Sequence, residues 1–302
     1  MLSPNSLTSL SSFFLFLALL PAVAALLYFL FTAFVLWFRW RDREKKSLEL
    51  VTLLVVVPQD NEVKIDANEA IISSVASFYT SAKFKFLQTF IAQPSLSLEI
   101  IGTDEDIRFY ISVPKKFQDL IEKQIYSIYA GADIQTVDEP NIFSETGKVE
   151  TAWLGLKKSS FYPLKTYKEI PTDTLSAFTS VLSKLNSGET MAIQLVLSPT
   201  DSSWSKAGKS FISSTKKSES NPEKASYKVD ARQMEAIESK CNKPGFETAI
   251  RIVAVAPTKE IAKVNLSNLK ACFGQLESPW NKLSTRKIRF SSQFINDFIY
   301  KY

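Results

Sequence analysis

The chain opens on a long uninterrupted run of apolar residues before it changes to short segments of alternating polarity. Positions 13–38, FFLFLALLPAVAALLYFLFTAFVLWF, carry no charged residue. A helix of about 20 apolar residues is long enough to cross the hydrocarbon core of a bilayer. The pattern therefore predicts a short N-terminal tail at 1–12 and a transmembrane helix at 13–38.

A cleaved signal peptide is the alternative interpretation of this run. Ala22, Val23 and Ala24 are small enough to form a cleavage site, but residues 1–12 contain no Lys or Arg, and the apolar run continues well past Ala24. Both features favour a retained membrane anchor over a signal peptide.

The orientation of the anchor is predicted from the charges that flank it. The juxtamembrane segment 39–46, RWRDREKK, has five basic and two acidic residues. Basic flanks face the cytoplasm, so the rest of the chain is predicted to lie on the cytoplasmic side of the inner membrane. The residues expected to contact membrane lipid at the interface are Trp37, Arg39, Trp40, Arg41, Arg43, Lys45 and Lys46.

The region after the anchor alternates between strand-like and helix-like patterns. Residues 47–138 contain, in order, a β-branched strand, a helix, a hairpin around the polar turn GTDED, a helix that begins after Pro114, and a last strand. This βαββαβ order predicts a first α+β domain of the ferredoxin-like type. The polar residues 139–150 are interpreted as a linker.

A second series of strands and helices follows over 151–290, with a polar, flexible insert at 213–227 and a C-terminal tail at 291–302. Its order is again α+β. The predicted fold class is therefore α+β, with an N-terminal transmembrane helix followed by two ferredoxin-like units.

The composition argues against much of enzyme chemistry. The chain of 302 residues has no histidine, which is the commonest general base and a common metal ligand. The formal charge of +5, from 36 basic and 31 acidic residues, does not by itself indicate nucleic-acid binding. The two cysteines, Cys241 and Cys272, suit a reducing compartment better than a disulfide framework. We expect no catalytic, cofactor-binding or metal-binding residues, and we predict that the chain is not an enzyme.

Two local motifs need an explanation before that prediction stands. Gly208-Lys209-Ser210 matches the last three residues of a phosphate-binding P-loop motif. The first glycine of that motif would fall at position 203, which is Ser203, so the stretch is interpreted as an amphipathic helix. The acidic cluster at 104–106 lacks the ligand spacing of a calcium loop and is interpreted as a solvated hairpin turn.

The C-terminal stretch NKLSTRKIRFSSQFINDFIYKY mixes basic and aromatic residues. Contact with single-stranded nucleic acid is one interpretation. A final strand and an amphipathic helix whose apolar face packs on a partner is the interpretation that the spacing favours. The residues expected to dock a partner are Phe290, Phe294, Phe298 and Tyr300.

Several segments, taken in order, resemble a bacterial family of membrane-anchored domains that precede HerA-like or type IV secretion coupling-type DNA-translocating ATPases. The segments are LLVVVPQDNE, LEIIGTDEDIRFYISVPKKFQDLIEKQIYSIYAGADI, FYPLKTY, ETMAIQLVLSPTDSSW and EAIESKCNKPGFETAIRIVAVAP. The resemblance implies a docking module that holds a hexameric ATPase at the membrane, on a separate chain or on a longer form of this one, and it is compatible with rings of the domain itself. A membrane-tethered binding or sensor domain unrelated to translocation is the alternative.

Overall fold

The structure is a computed structural model, and it describes residues 4–58, 60–84, 88, 90–219 and 230–302. Within these residues the helices are α1 (Pro4–Trp40), α2 (Arg43–Ser47), α3 (Asn68–Val75), α4 (Gln118–Ile128), α5 (Thr174–Leu182), α6 (Ser203–Glu219), α7 (Ala231–Cys241), α8 (Lys259–Cys272) and α9 (Ser291–Ile299). The strands are β1 (Leu50–Val56), β2 (Leu96–Gly102), β3 (Ile107–Pro114), β4 (Asp133–Val137), β5 (Lys148–Leu156), β6 (Thr190–Pro199), β7 (Phe246–Ala256) and β8 (Leu283–Arg286). Short 3₁₀ turns extend several of the helices.

The chain divides into two compact units. One comprises Met1–Lys46 and Thr80–Ala92, and the other comprises Ser47–Tyr79 and Gln93–Tyr302. The first unit is built on α1, which is helical from Pro4 onwards, so most of the predicted tail at 1–12 belongs to the helix. The second unit contains all the strands in the described part of the chain.

The eight strands form one antiparallel sheet in the order β4-β1-β3-β2-β6-β7-β5-β8. Each half of the sheet uses four consecutive strands. In both halves the fourth strand lies beside the first, the first beside the third, and the third beside the second. The two second strands, β2 and β6, pair with each other and join the halves, so strands on either side of 139–150 share one sheet.

The hairpin predicted around GTDED is confirmed. Leu98 pairs with Ile111 and Ile100 pairs with Phe109, so the apolar positions of both arms lie on one face. The turn is closed by a backbone hydrogen bond in which the N–H of Thr103 donates to the carbonyl of Asp106 at 2.9 Å.

Helices cover one face of the sheet. α3 and α4 pack on the first half, where Leu53, Val113 and Ile121 are fully buried. α5 and α8 pack on the second half, where Leu182, Ile252 and Leu269 are fully buried. Burial of several such side chains, each worth about 1.5–3 kcal/mol, is the main stabilisation of these two clusters.

The opposite face is covered by the C-terminal helix and by the segment predicted as a linker. Phe294 and Phe298 of α9 pack with Tyr110, Val253 and the linker residue Ile142. The predicted tail at 291–302 is therefore mostly helix, and the end of the predicted linker is already part of β5, because both segments carry apolar side chains that the sheet buries.

A fourth cluster forms between α6 and α7, from Ile212, Ile237 and Cys241 with Phe161 and Phe211 packed beside them. α6 continues to Glu219, so the first part of the predicted flexible insert 213–227 is helix rather than loop. The remainder, 220–227, lies outside the described residues.

Candidate functional site

The most exposed apolar surface in the described part of the chain is that of α1. The span Leu19–Phe38 is 20 residues long and apolar enough to cross a membrane. Its large side chains project outward, with Tyr28 72% exposed. Thr32 is satisfied within the helix, because its hydroxyl donates to the carbonyl of Phe29 at 2.8 Å. A helix with such an apolar surface suits a lipid environment. A signal sequence near the N-terminus has the same length and apolar composition.

The predicted interface residues cluster at the C-terminal end of this helix. Trp37 and Arg41 are exposed, and the Arg41 guanidinium lies 4.9 Å from the ring centre of Phe38 and 5.8 Å from that of Trp37. Lys45 and Lys46 are exposed on α2. Arg39, Trp40 and Arg43 lie in or beside the same helices, but their side chains are outside the described ones. The arrangement places aromatic rings and cations together where an apolar helix ends.

A second cluster is buried in the sheet beneath α9. Polar side chains from five neighbouring strands form a row across its centre, and the penultimate residue of the chain reaches into this row. We call these residues the polar row: Thr52, Ser97, Glu99, Ser112, Gln194, Arg251 and Lys301. Each is buried, with Glu99 4% and Lys301 3% exposed.

Hydrogen bonds connect the polar row from strand to strand. The Arg251 guanidinium donates to Gln194 Oε1 at 2.7 Å, and Gln194 Nε2 donates to Glu99 Oε1 at 3.1 Å and to the carbonyl of Phe298 at 2.8 Å. The Ser97 hydroxyl donates to Glu99 Oε1 at 2.8 Å. Because buried polar groups are costly when unpaired, this continuity is what allows so many of them in one core.

Lys301 supplies the cation at the other end of the row. Its Nζ donates to Ser112 Oγ at 2.9 Å and lies 3.1 Å from Glu139 Oε1 and 3.7 Å from Glu99 Oε1. The backbone of Lys301 has φ of 58°, the left-handed conformation that L residues adopt rarely. This turn directs the chain end back toward the sheet after α9 ends at Ile299.

Burial changes the proton affinity of one member of the polar row, Arg251. It lowers the pKa of Arg251 to about 10, against the opposite effect of the nearby carboxylates of Asp297 and Glu99. The guanidinium therefore remains charged at neutral pH. The polar row ties the end of α9 to the sheet, through the hydrogen bond from Gln194 to the carbonyl of Phe298 and the one from Lys301 to Ser112.

The expectation that α9 presents an uncovered apolar face is corrected by this packing. Phe294 and Phe298 are buried against the sheet, and Phe298 meets Phe143 edge to face at 6.2 Å. Tyr300 is half-buried, and Phe290 alone of the four predicted docking residues is largely exposed, at 67%. The apolar stripe of this helix is satisfied by its own sheet.

The two motifs that suggested chemistry have structural roles. Gly208 lies inside α6, where a β-carbon would meet Cys241, so Gly208-Lys209-Ser210 is a helical segment that packs closely on α7. The carboxylate of Asp106 pairs with Arg108 Nε at 2.7 Å on the surface. Among the described residues no group of three or more metal-ligating side chains is found.

Both thiols are free, and neither is activated. Cys241 is buried and Cys272 is half-buried. Burial raises the pKa of each, which disfavours the nucleophilic thiolate. An open cleft of about 260 Å³ lies near the end of α8, but its Lys282 and Glu277 are paired with each other at 3.0 Å.

The polar row was not predicted from the sequence. The signal was present, because each of five apolar strands carries one or two residues of the row, as in LVTLLVV, LSLEIIG and AIQLVL. Periodicity shows that such residues lie on one face of a strand, but it does not show which strands are neighbours. The role of Lys301 had no signal beyond its position in a basic and aromatic stretch.

Comparison with known proteins gives a family. A family model described as a domain of unknown function, DUF8128, matches residues 43–280. This chain belongs to the DUF8128 family. The matched DUF8128 region begins at α2, directly after the apolar span of α1, and ends before β8. No curated protein matches the chain.

Solved structures give matches of low similarity to this DUF8128 protein. They include 6-hydroxy-D-nicotine oxidase from Arthrobacter nicotinovorans, with 12% identity and a TM-score of 0.35 over 74% of this chain and 42% of the other. Aclacinomycin oxidoreductase has 10% identity and a TM-score of 0.32 over 75% and 41%. A glycopeptide hexose oxidase complexed with teicoplanin has 10% identity and a TM-score of 0.35 over 75% and 41%. The chain thus spans about two fifths of the length of the solved structures it matches.

The prediction that the chain is not an enzyme is contradicted by these matches, since the solved structures named are oxidases and an oxidoreductase. That prediction rested on the missing histidine and the incomplete motifs, which exclude particular chemistries and not catalysis as a class. A TM-score of 0.35 or less carries no argument about a reaction, so no activity is assigned in its place.

Proposed function

We propose that this chain is a single-pass membrane protein that holds its α+β domain at the cytoplasmic face of the inner membrane. The observation that carries the proposal is the outer surface of α1 between Leu19 and Phe38. In water this surface would expose a continuous apolar area, whereas a bilayer removes it from water. The exposed side chains are Leu19, Leu20, Val23, Leu26, Leu27, Tyr28, Phe29, Leu30, Phe31, Phe34, Leu36, Trp37 and Phe38.

The orientation follows from the end of the helix that carries the cations. Arg41, Lys45 and Lys46 lie after the apolar span and are exposed, as the positive-inside rule requires of a cytoplasmic end. Trp37 lies at the same end, where amphipathic rings favour the headgroup layer. These contacts support a cytoplasmic position for the second unit.

We also propose that the domain consists of two ferredoxin-like units joined edge to edge. Two observations support this. The first half follows βαββαβ order, and the second follows the same order with α6 and α7 inserted between its second and third strands. In each half the strands lie in the spatial order fourth, first, third, second. The pairing of β2 with β6 joins equivalent strands of the two halves.

The role of the domain is proposed to be docking of a DNA- or protein-translocating ATPase, a partner that stays a prediction from the family resemblance. The surface most suited to it is the loop before α9. Phe290 is exposed there together with Lys287 and Arg289, so an apolar side chain is flanked by cations. Such a loop fits an acidic partner surface with an apolar pocket.

Membrane topology is the first test. Lys184→Cys places a thiol at an exposed position of the second unit. In intact cells this thiol is expected to resist a membrane-impermeant maleimide, and after permeabilisation it is expected to react. Labelling in intact cells would overturn the cytoplasmic orientation and favour the tethered sensor. An intact mass well below 34.0 kDa for the mature chain would show that the helix is a cleaved signal peptide.

Docking is tested separately. The full chain is purified in detergent from its own cells, and co-purifying proteins that contain a complete P-loop are quantified. Phe290→Ala is expected to reduce their recovery several-fold. Val264→Ala removes a side chain of similar exposure on α8, 58% against 67%, and serves as the matched control. Equal recovery with both variants would contradict a docking role for the loop.

A further inference from the structure

The segment Thr80–Ala92 leaves the sheet-bearing unit and joins α1. Tyr79 before it and Gln93 after it both belong to the second unit, whereas the described residues between them group with the helix. Part of this segment is therefore held against a helix whose surface is otherwise exposed and apolar.

Phe90 makes the contact with α1. Its ring lies 6.2 Å from Phe31, 6.5 Å from Phe34 and 5.8 Å from Phe38, and each of these pairs is edge to face. Among the described side chains of α1, Val35 is the one that is buried. Aromatic pairs in this geometry are worth about 0.5–1.5 kcal/mol each beyond the area they bury.

The contact lies at a defined depth along the helix. Phe38 ends the apolar span, and Phe31 lies seven residues before it. At 1.5 Å per residue, seven residues correspond to about 10 Å of helix axis. Segments that lie in the bilayer interface bury their apolar faces to a depth of about 5–10 Å, which is the same range.

The described part of the segment is folded by its own hydrogen bonds. The N–H of Ala82 donates to Gln88 Oε1 at 2.6 Å, and Gln88 Nε2 donates to the carbonyl of Thr80 at 3.0 Å. Between these anchors Phe84 is 55% exposed, and the Lys83 ammonium lies 6.0 Å from its ring centre. An exposed aromatic ring beside a cation is typical of the boundary between acyl chains and headgroups.

We infer that the described residues of Thr80–Ala92 form a second membrane-contacting element, which lies in the cytoplasmic interface of the phospholipid bilayer beside α1. Phe90 attaches it to the helix, Phe84 enters the acyl boundary, and Lys83 reaches the headgroups. This inference rests on the proposed function, because it requires α1 to cross the membrane. It adds a second point of contact with the bilayer beside α1.

Depth-dependent quenching tests the inference on the full chain in phospholipid vesicles. A polarity-sensitive fluorophore is attached to Phe84→Cys in a Cys272→Ser background, where the remaining Cys241 is buried. The matched probes are Tyr28→Cys within the apolar span and Lys184→Cys on the second unit. Each labelled protein is measured with lipids spin-labelled near the headgroup and with lipids spin-labelled at the acyl terminus.

The Phe84 probe is expected to lose on the order of half its emission with shallow spin labels and less with deep ones, as an interfacial position requires. The Tyr28 probe is expected to respond most to deep labels, and the Lys184 probe to neither. If the Tyr28 probe is quenched and the Phe84 probe is not, the inference fails and the membrane anchor stands. If the Tyr28 probe is not quenched by either lipid, both fail. Equal quenching of the Phe84 and Lys184 probes would also overturn the inference, because contact would not be specific to the segment.

Discussion

The ammonium of Lys301 donates to the hydroxyl of Ser112 at 2.9 Å, so the penultimate residue of the chain is tied to the middle of the third strand. The two residues are 189 positions apart in sequence. The polar row also places a buried carboxylate, that of Glu99, within 3.7 Å of the same ammonium. The position of α9 on the sheet is thus set by charge as well as by the two phenylalanines.

Replacement of Lys301 by Met tests this tie. The variant keeps an unbranched apolar stem and removes the charge, which leaves Glu99 buried with less compensation. The free energy of unfolding is expected to fall by about 2–4 kcal/mol, close to the cost of breaking a buried ion pair. It is measured by urea denaturation of the full chain in mild detergent.

Lys123→Met is the control for the Lys301 variant. Its ammonium pairs with Asp119 at 2.7 Å, but both side chains are more than 70% exposed. Exposed pairs contribute about 0–1 kcal/mol, so little change is expected. Equal stability of the two variants would show that the ammonium of Lys301 is not part of the core.

Two glycines form a matched pair for a packing test. A β-carbon on Gly245 would overlap the indole of Trp204, whereas one on Gly274 would meet no atom within 4 Å. Gly245→Ala is expected to lower the free energy of unfolding by about 1–3 kcal/mol, as overpacking does, and Gly274→Ala is expected to have little effect. Thermal unfolding of both variants gives the comparison. A neutral Gly245→Ala would mean that α6 shifts freely against the loop before β7.

The fold was largely predictable where the signal is local. The alternation in LSLEIIG and IRFYISV predicted the β2–β3 hairpin. The prediction that a helix begins after Pro114 is also confirmed, because a 3₁₀ turn and then α4 follow that residue. The pairing of β2 with β6 was not predictable, because the two strands are almost one hundred residues apart and no local pattern specifies a distant neighbour. For the same reason the spacing of Phe294 and Phe298 predicted an apolar helix face but not the surface that covers it.

The candidate site likewise has one part that was predictable from the sequence and one part that was not. The apolar span and its basic flank were visible because membrane insertion is a property of one continuous segment. The contact between Phe90 and α1 and the polar row were not visible, since each depends on residues that meet only in the folded chain.

A charge placed in the apolar span tests the anchor. Leu27 is exposed on α1, and Leu27→Arg would carry a cation into the hydrocarbon region at a cost of about 2.5–3.5 kcal/mol. The fraction of the chain that resists alkaline carbonate extraction from membranes is expected to fall. Leu27→Met, which keeps the apolar character, is expected to extract like the wild type. Unchanged extraction of the arginine variant would contradict membrane insertion.

The ion pair between Glu69 and Lys243 predicts a small pH dependence. The hydrogen bond from Lys243, at 2.8 Å, lowers the pKa of the Glu69 carboxyl below its ordinary value. A lowered folded-state pKa gives stabilisation that is present above the unfolded-state pKa and is lost as pH falls through the folded-state value. Both side chains are about half exposed, so screening by solvent keeps the effect small.

Glu69→Gln is therefore expected to lower the free energy of unfolding by no more than about 0.5 kcal/mol at neutral pH, and by nothing measurable in strong acid. Urea denaturation at the two pH values, with the wild type beside the variant, measures the difference. A difference that grew toward acid pH would contradict a lowered pKa for the Glu69 carboxyl.

The two thiols should differ in reactivity. Burial raises the pKa of both, and Cys241 is the more enclosed. In the native chain a disulfide reagent is expected to modify Cys272 first, with a rate that rises with pH and goes on rising above the ordinary pKa of a thiol. In urea both are expected to react quickly. Rapid modification of Cys241 in the native chain would show that α6 and α7 separate readily.

The distance in sequence between Thr52 and Lys301 also has a consequence for biosynthesis. Their side chains meet in the polar row although 249 positions separate them. At about 5–20 residues per second, a ribosome needs on the order of 10–50 s to reach the second residue after it has made the first. During that time α1 and then β1 have left the ribosome. The face of the sheet that α9 covers still lacks both that helix and the ammonium of Lys301. The order of translation therefore exposes α1 long before the core of the sheet can be completed.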